Sequence, residues 1–130
     1  MSEQPPKDES TTAALLIAHG SRRESANQDL LRLAELVRER NSFDIIEIAY
    51  LELAEPTIPN GARACVEQGA NRVLLLPYFL SAGAHVTDDL EHFRRELSDE
   101  HADVTFTLCD PLGLHPLIVD IVLDRLRQAD

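Results

Sequence analysis

Five histidines stand in this chain, and two of them, His19 and His85, share a setting that could support chemistry. Each follows an aliphatic run and sits in a glycine-containing turn: Ala18-His19-Gly20-Ser21-Arg22-Arg23 in one case, Ser81-Ala82-Gly83-Ala84-His85-Val86 in the other. A neutral imidazole binds first-row divalent metals, with Fe2+, Co2+ and Ni2+ all acceptable, and its unperturbed pKa of about 6.5 lets it take up protons near neutrality. Two imidazoles with a carboxylate could therefore hold a metal and accept protons in one place. Glu52 is the candidate carboxylate, because it falls at the expected end of a strand, unlike its neighbours Glu47 and Glu55. Arg22 and Arg23, beside His19, form a local cationic pair suited to ligand carboxylates. A solvated helix start accounts for them equally well.

The remaining donors read as surroundings. His92 lies seven residues after His85 and four before Glu96, which places His85, Asp89, His92 and Glu96 along one polar helix stripe. A solvent-facing surface accounts for His92, with an extended metal relay as the alternative. His101 is expected to be exposed in a loop. His115, just before Pro116, fits a loop role or a place near the same rim, and Cys109 reads as a packed free thiol. Cys65 and Cys109 form no CxxC motif, so neither a disulfide framework nor a thiolate zinc site is indicated.

Other chemistries lack their motifs. No G-x-S-x-G elbow is present, and Ser21 next to His19 in sequence does not make a triad. His19-Gly20-Ser21 after the first strand is not G-x-G-x-x-G, and no P-loop lysine occurs, so neither dinucleotide binding nor ATP-driven chemistry is indicated.

The elements that must position these residues follow from hydrophobic periodicity. Met1 to Thr12 has almost no apolar content and reads as a disordered tail before a single domain over residues 13–130. AALLIA (13–18) is a continuous apolar run, as a central parallel strand covered on both faces requires. A helix is predicted from about Ser25 to Arg40, with Ser21/Glu24 or Ser25/Gln28 as a capping box and Asn41-Ser42 closing it. A second strand over 43–51 ends near Glu52. Pro56 and Pro59 suit the first turn of a helix that buries Ile58, Ala62, Cys65 and Val66 and is capped by Gly69. RVLLL (72–76) is the third strand. The next helix buries Val86, Leu90, Phe93 and Leu97, the fourth strand covers 104–108 at an edge, and a final helix from Pro116 turns Leu117, Ile118, Ile121, Val122 and Leu126 to the core. The βαβαβαβα order predicts a three-layer α/β/α, flavodoxin-like fold on a four-stranded parallel sheet. In such a sheet all strand C-termini lie on one rim, which gathers His19, Glu52, the His85 turn and Asp110.

Composition narrows the partners. The formal charge of −11 argues against nucleic acid and against an anionic membrane surface, and an acidic ligand would need local positive groups. With 44% hydrophobic and 27% charged residues, no apolar run near ~20 residues and no basic-then-apolar leader, a cytoplasmic globular protein is expected.

Four segments in order, LLIAHGSRR (15–23), YLELAEPTIP (50–59), LLPYFLSAGAHVTDDL (75–90) and DPLGLHPLI (110–118), resemble the small, single-unit form of the sirohydrochlorin cobaltochelatase and ferrochelatase family, the class II chelatases. The likeness runs from about Ala13 to Arg127 and implies a chelatase-like fold. It further implies ATP-independent insertion of Co2+, Fe2+ or Ni2+ into sirohydrochlorin or a related tetrapyrrole, for cobalamin or sirohaem. On this pattern His19 and His85 are the metal-binding and proton-accepting pair, Glu52 a further catalytic residue, and Asp89 an orienting one. Ser21, Arg22, Arg23 and the Gly83 turn would hold the tetrapyrrole carboxylates. No organic cofactor is implied, the metal being a substrate, and a homodimer is implied whose cleft imitates that of longer, two-unit members. The competing readings are a non-catalytic carrier of metal or tetrapyrrole, and a generic binding domain with incidental histidines.

Overall fold

The computed structural model describes residues 10–40 and 42–129. Strands β1 (Thr12–Ala18), β2 (Ile45–Tyr50), β3 (Arg72–Pro77) and β4 (Thr105–Leu108) alternate with helices α1 (Glu24–Glu39), α2 (Ile58–Glu67), α3 (Ala84–Glu100) and α4 (Pro116–Arg127). All strand pairs are parallel, in the order β2-β1-β3-β4, so β4 is an edge as expected.

The aliphatic run of β1 has two faces to fill. Ala13, Leu15 and Ile17 point into the larger core with Ala49, Ile58, Ala62, Cys65, Val73, Leu75, Leu90 and Leu97, under α2 and α3. Ala14 and Leu16 point the other way, into a smaller core with Leu30, Ala34, Ile46, Ile48 and Tyr50, under α1. Burying each large aliphatic side chain contributes about 1.5–3 kcal/mol relative to exposure. Leu15, fully buried on the central strand, is a position where truncation to Ala costs roughly 2–5 kcal/mol. The stripe predicted on α3 is real: Leu90 and Leu97 are buried and Val86 and Phe93 pack beside them.

Several expectations are corrected. Ordered chain starts before Ala13: Thr12 belongs to β1, and the Thr11 carbonyl accepts from Asn71 N (3.0 Å) and Arg72 N (3.3 Å). The rest of the expected tail, residues 1–9, lies outside the described residues, as does Asn41. Neither capping box forms. The N-cap of α1 is Arg23, with no side-chain cap bond, because Ser21 is engaged elsewhere. Pro56 precedes α2 instead of joining it. Its carbonyl accepts from Tyr50 N at 2.9 Å, while Thr57 caps the helix by accepting from Asn60 N at 3.3 Å.

The largest difference is α4. Its N-terminus is formed as expected, with Pro116 in the first turn and His115 Nδ1 accepting from Leu117 N at 3.1 Å. Yet none of its residues is buried, and Leu117 (62%), Ile121 (52%), Val122 (50%) and Leu126 (63%) are at least half exposed. The helix stands off β3, leaving an apolar gap of about 460 Å³ lined by Leu76, Leu112, Leu117, Ile118 and Ile121. Periodicity identified its apolar residues but could not say which surface covers them.

Candidate active site

Strand order places the site. Chain direction along the sheet reverses between β1 and β3, since β2 lies on one side of β1 and β3 on the other, and this opens a crevice above the C-terminal ends of the strands. His19 follows β1, Glu52 follows β2, and the His85 turn follows β3.

The first turn is held by backbone. The β1–β2 ladder continues past both strands, with Leu51 N donating to Ala18 O (2.9 Å) and Glu52 N to His19 O (3.1 Å). Gly20 adopts φ +101°, and a Cβ there would lie 1.8 Å from the Glu52 carbonyl oxygen. Only glycine permits both the left-handed backbone and this approach. Beyond it, the Asn27 side chain clamps Ser21: its Oδ1 accepts from Ser21 N (3.0 Å) and its Nδ2 donates to Ser21 O (2.8 Å). Ser21 Oγ in turn accepts from Arg23 N at 3.0 Å. Tyr50 secures the clamp by donating its hydroxyl to Asn27 O at 2.6 Å. Burial, and then the charge of Glu24, push the Tyr50 phenol above its ordinary value, so it remains a donor.

This frame brings His19 Nε2 to 3.2 Å from Glu52 Oε2, and the His19 ring to 6.0 Å from that of Phe79. Both side chains of the pair are more than half exposed, at 56% and 57%, so solvent screens their attraction and they add little to stability. Exposure leaves their lone pairs accessible to a ligand. The pair opens on a cavity of about 430 Å³ lined also by Leu51, Val86, Asp89, His92 and Phe93. Its lining thus combines three apolar side chains with two imidazoles and two carboxylates. His92 Nε2 lies 3.0 Å from Glu96 Oε2, which orients that ring from one turn further along α3.

The sequence-predicted residues therefore separate. His19 and Glu52 are in contact, and Asp89 joins them along the same cavity. His85 does not line it: the residue is exposed in the first turn of α3, one position before Val86, which does. Ser21 and Arg22 line a neighbouring hollow of about 350 Å³ with Tyr50, Leu53 and Glu55. Arg23 is exposed at the start of α1, and Gly83 caps α3 through its backbone. His92 is 68% exposed, as its solvent-facing reading expects, and it also borders the cavity beside Asp89.

The other donors lie elsewhere. His101, expected to be exposed, is half-buried with its ring 5.9 Å from Phe106. His115 lines the gap under α4. Cys109 and Cys65 are free, and burial pushes both thiols up, Cys65 to about 12 with help from Glu47, so neither offers a thiolate at neutral pH. Among the described residues, no three His, Cys, Asp or Glu side chains converge tightly enough to enclose a metal.

Comparison with known proteins bears on this geometry. The family model CbiX matches residues 13–129. The chain belongs to the CbiX family. As a CbiX unit it is 35% identical to the sirohydrochlorin cobaltochelatase of Methanocaldococcus jannaschii over 87% of this chain and 96% of that one. It is also 35% identical to the chloroplastic sirohydrochlorin ferrochelatase of Arabidopsis thaliana, over 88% of this chain but 51% of that one. Among solved structures, the sirohydrochlorin chelatase SirB of Bacillus subtilis subspecies spizizenii in complex with cobalt superposes with a TM-score of 0.84 at 30% identity, covering 91% of this chain and 50% of SirB. The CbiX unit thus spans nearly all of the archaeal relative and about half of the other two. The parallel sheet with its rim of histidine turns is a chelatase fold.

Proposed function

We propose that this chain is an ATP-independent chelatase that inserts Co2+ or Fe2+, with Ni2+ a further candidate, into sirohydrochlorin or a related tetrapyrrole, on the way to cobalamin or sirohaem. The observation that carries the reading is the His19–Glu52 contact at the mouth of the crevice, in a CbiX unit whose relatives are named for cobalt or iron insertion.

Metallation exchanges two pyrrole N–H protons for one M2+. The ring leaves as a dianion ligand, and both protons need acceptors near the nitrogens. An imidazole and a carboxylate within 3.2 Å of each other can first share a metal and then take up protons as the metal moves to the ring. Two protein donors leave open coordination positions, which a metal destined for transfer requires. Asp89 and His92 extend the same donor set along the cavity wall. His85, exposed on the first turn of α3, is the second imidazole of the pair. It can meet the metal or the protons once a substrate ring covers the crevice. Ser21, Arg22, Arg23 and the Gly83 backbone hold the carboxylates of the tetrapyrrole, which offsets the charge of −11. No organic cofactor takes part, the protein acts in the cytoplasm, and two copies pair to complete the cleft. No helix is long and apolar enough to cross a membrane.

Anaerobic incubation of catalytic amounts with sirohydrochlorin and Co2+, Fe2+ or Ni2+, followed by absorbance, tests the proposal. Product formed in many-fold excess over protein supports the enzyme. Product no faster than with the metal alone, or stoichiometric with protein, favours the carrier and overturns the chelatase.

A further inference from the structure

Leu53 stands in backbone that does not suit its side chain. Its φ is +67°, and among the described residues it is the one non-glycine residue with positive φ. Left-handed backbone crowds a Cβ, and glycine or asparagine occupies it at lower cost. Packing explains the turn itself. Leu51 packs on the larger core and Ala54 on the smaller one, so the chain must cross from one face of the sheet to the other within four residues. It does not explain the leucine, whose side chain is 53% exposed and belongs to neither core. A fold that needed only the turn would be served better by glycine. Strain of this kind clusters at active sites and ligand clamps.

The place of Leu53 says what it meets. It follows Glu52, whose carboxylate is 3.2 Å from His19 Nε2. The two loops that join here divide at one point: His19 and Glu52 line the cavity of about 430 Å³, while Ser21 and Leu53 line the hollow of about 350 Å³. Gly20, between His19 and Ser21, lies against the Glu52 carbonyl, so this backbone contact is the partition between the two recesses. A molecule seated over the metal pair is one Cα step, about 3.8 Å, from Leu53. A tetrapyrrole is several times wider than that step and has apolar faces, so a ring centred on the pair extends across the partition. We infer that Leu53 is the apolar contact that receives the tetrapyrrole on the hollow side and keeps the ring level over His19 and Glu52. The inference rests on the chelatase reading given above and names a further residue of its substrate site.

Titration of metal-free sirohydrochlorin into the full chain, followed by absorbance, tests this without turnover. Leu53→Gly should weaken binding about tenfold, as loss of an apolar contact of this size predicts. Its melting temperature should be no lower than that of wild type, because the relieved strain offsets the added freedom of the unfolded chain. Leu53→Met, similar in volume, should bind within about twofold of wild type. Leu36→Ala, at an equally exposed leucine (51%) in the last turn of α1, should change neither quantity. A Leu53→Gly variant that binds as tightly as wild type, or that melts several degrees lower, would overturn the assignment. So would a Leu36→Ala variant weakened equally, or a Leu53→Met variant as weak as Leu53→Gly. A wild type that metallates sirohydrochlorin, with binding unchanged in Leu53→Gly, would remove this contact and leave the chelatase reading standing. Weakened binding in Leu53→Gly, beside a wild type that binds but does not metallate, would do the reverse, and a wild type that binds no sirohydrochlorin would overturn both.

Discussion

The two histidine turns look alike in sequence and are built differently. Around His19 the backbone is fixed on every side: the ladder runs past both strands, Gly20 lies against the Glu52 carbonyl, and Asn27 and Tyr50 lock the following residue. Around His85 there is little of this. Gly83 has open space where a Cβ would go, and the histidine is exposed on the first turn of α3. A donor that must present a metal at one place needs the first kind of frame, because a displacement of about 1 Å at a reacting centre can cost 100-fold in rate. A donor that must meet a large ring arriving from solvent needs the second, since access is part of its task. On the proposed chelatase reading, this difference suits His19 and Glu52 to positioning the metal and His85 to the side from which substrate comes.

Substituting the paired glycines sharpens this contrast most. Gly20→Ala forces a side chain into left-handed backbone and onto the Glu52 carbonyl. Strain and overpacking together should cost of order 3 kcal/mol, lowering Tm by roughly 10 °C and removing turnover. Gly83→Ala, at φ −71° with open space around it, should melt within about 2 °C of wild type. If both variants melt alike, the first turn is not the more constrained one.

A smaller effect is expected at the carboxylate. Glu52→Gln keeps the shape and removes the charge and the proton acceptor, so metallation should slow by about 10–100-fold while Tm is unchanged, because the exposed pair contributes little stability. A lost fold would instead make Glu52 a structural residue.

Thiol chemistry gives a milder test. With its pKa pushed up to about 12 by burial, Cys65 should resist alkylation in the folded protein at pH 8, and half-buried Cys109, raised by burial and Asp110, should react only slowly. Peptide mapping after iodoacetamide reads both, and rapid labelling of Cys65 would show that α2 opens.

The smallest effect belongs to the outer surface of α3. Arg94 hydrogen-bonds Glu91 and holds its carboxyl below the usual range. The stabilisation is present above the ordinary carboxylate pKa and is lost as pH falls through the lowered value. Arg94→Ala should therefore melt slightly earlier than wild type at neutral pH, and the two should converge on acidification. A gap that widens in acid would reverse the sign.

Much of this was legible in the sequence, for reasons that differ by residue. Burial on two faces makes β1 a continuous apolar run and burial on one makes α3 a stripe, so both patterns carry their structure with them. The rim follows from topology, which is why His19, Glu52 and the His85 turn could be placed on one edge. What was not legible depends on how elements sit against each other. The need for Gly20 arises from the β1–β2 register, and the clamp on Ser21 from Asn27 one turn into α1. For α4 the spacing showed what is apolar and could not show what covers it.

The central claim is that the framed histidine carries the metal step. It is tested most directly by the initial rate of Co2+ insertion into sirohydrochlorin for His19→Ala beside wild type, at equal protein and with Tm checked. The predicted result is a folded protein whose rate falls to that of metal alone. A folded His19→Ala variant that metallates at the wild-type rate would contradict the account.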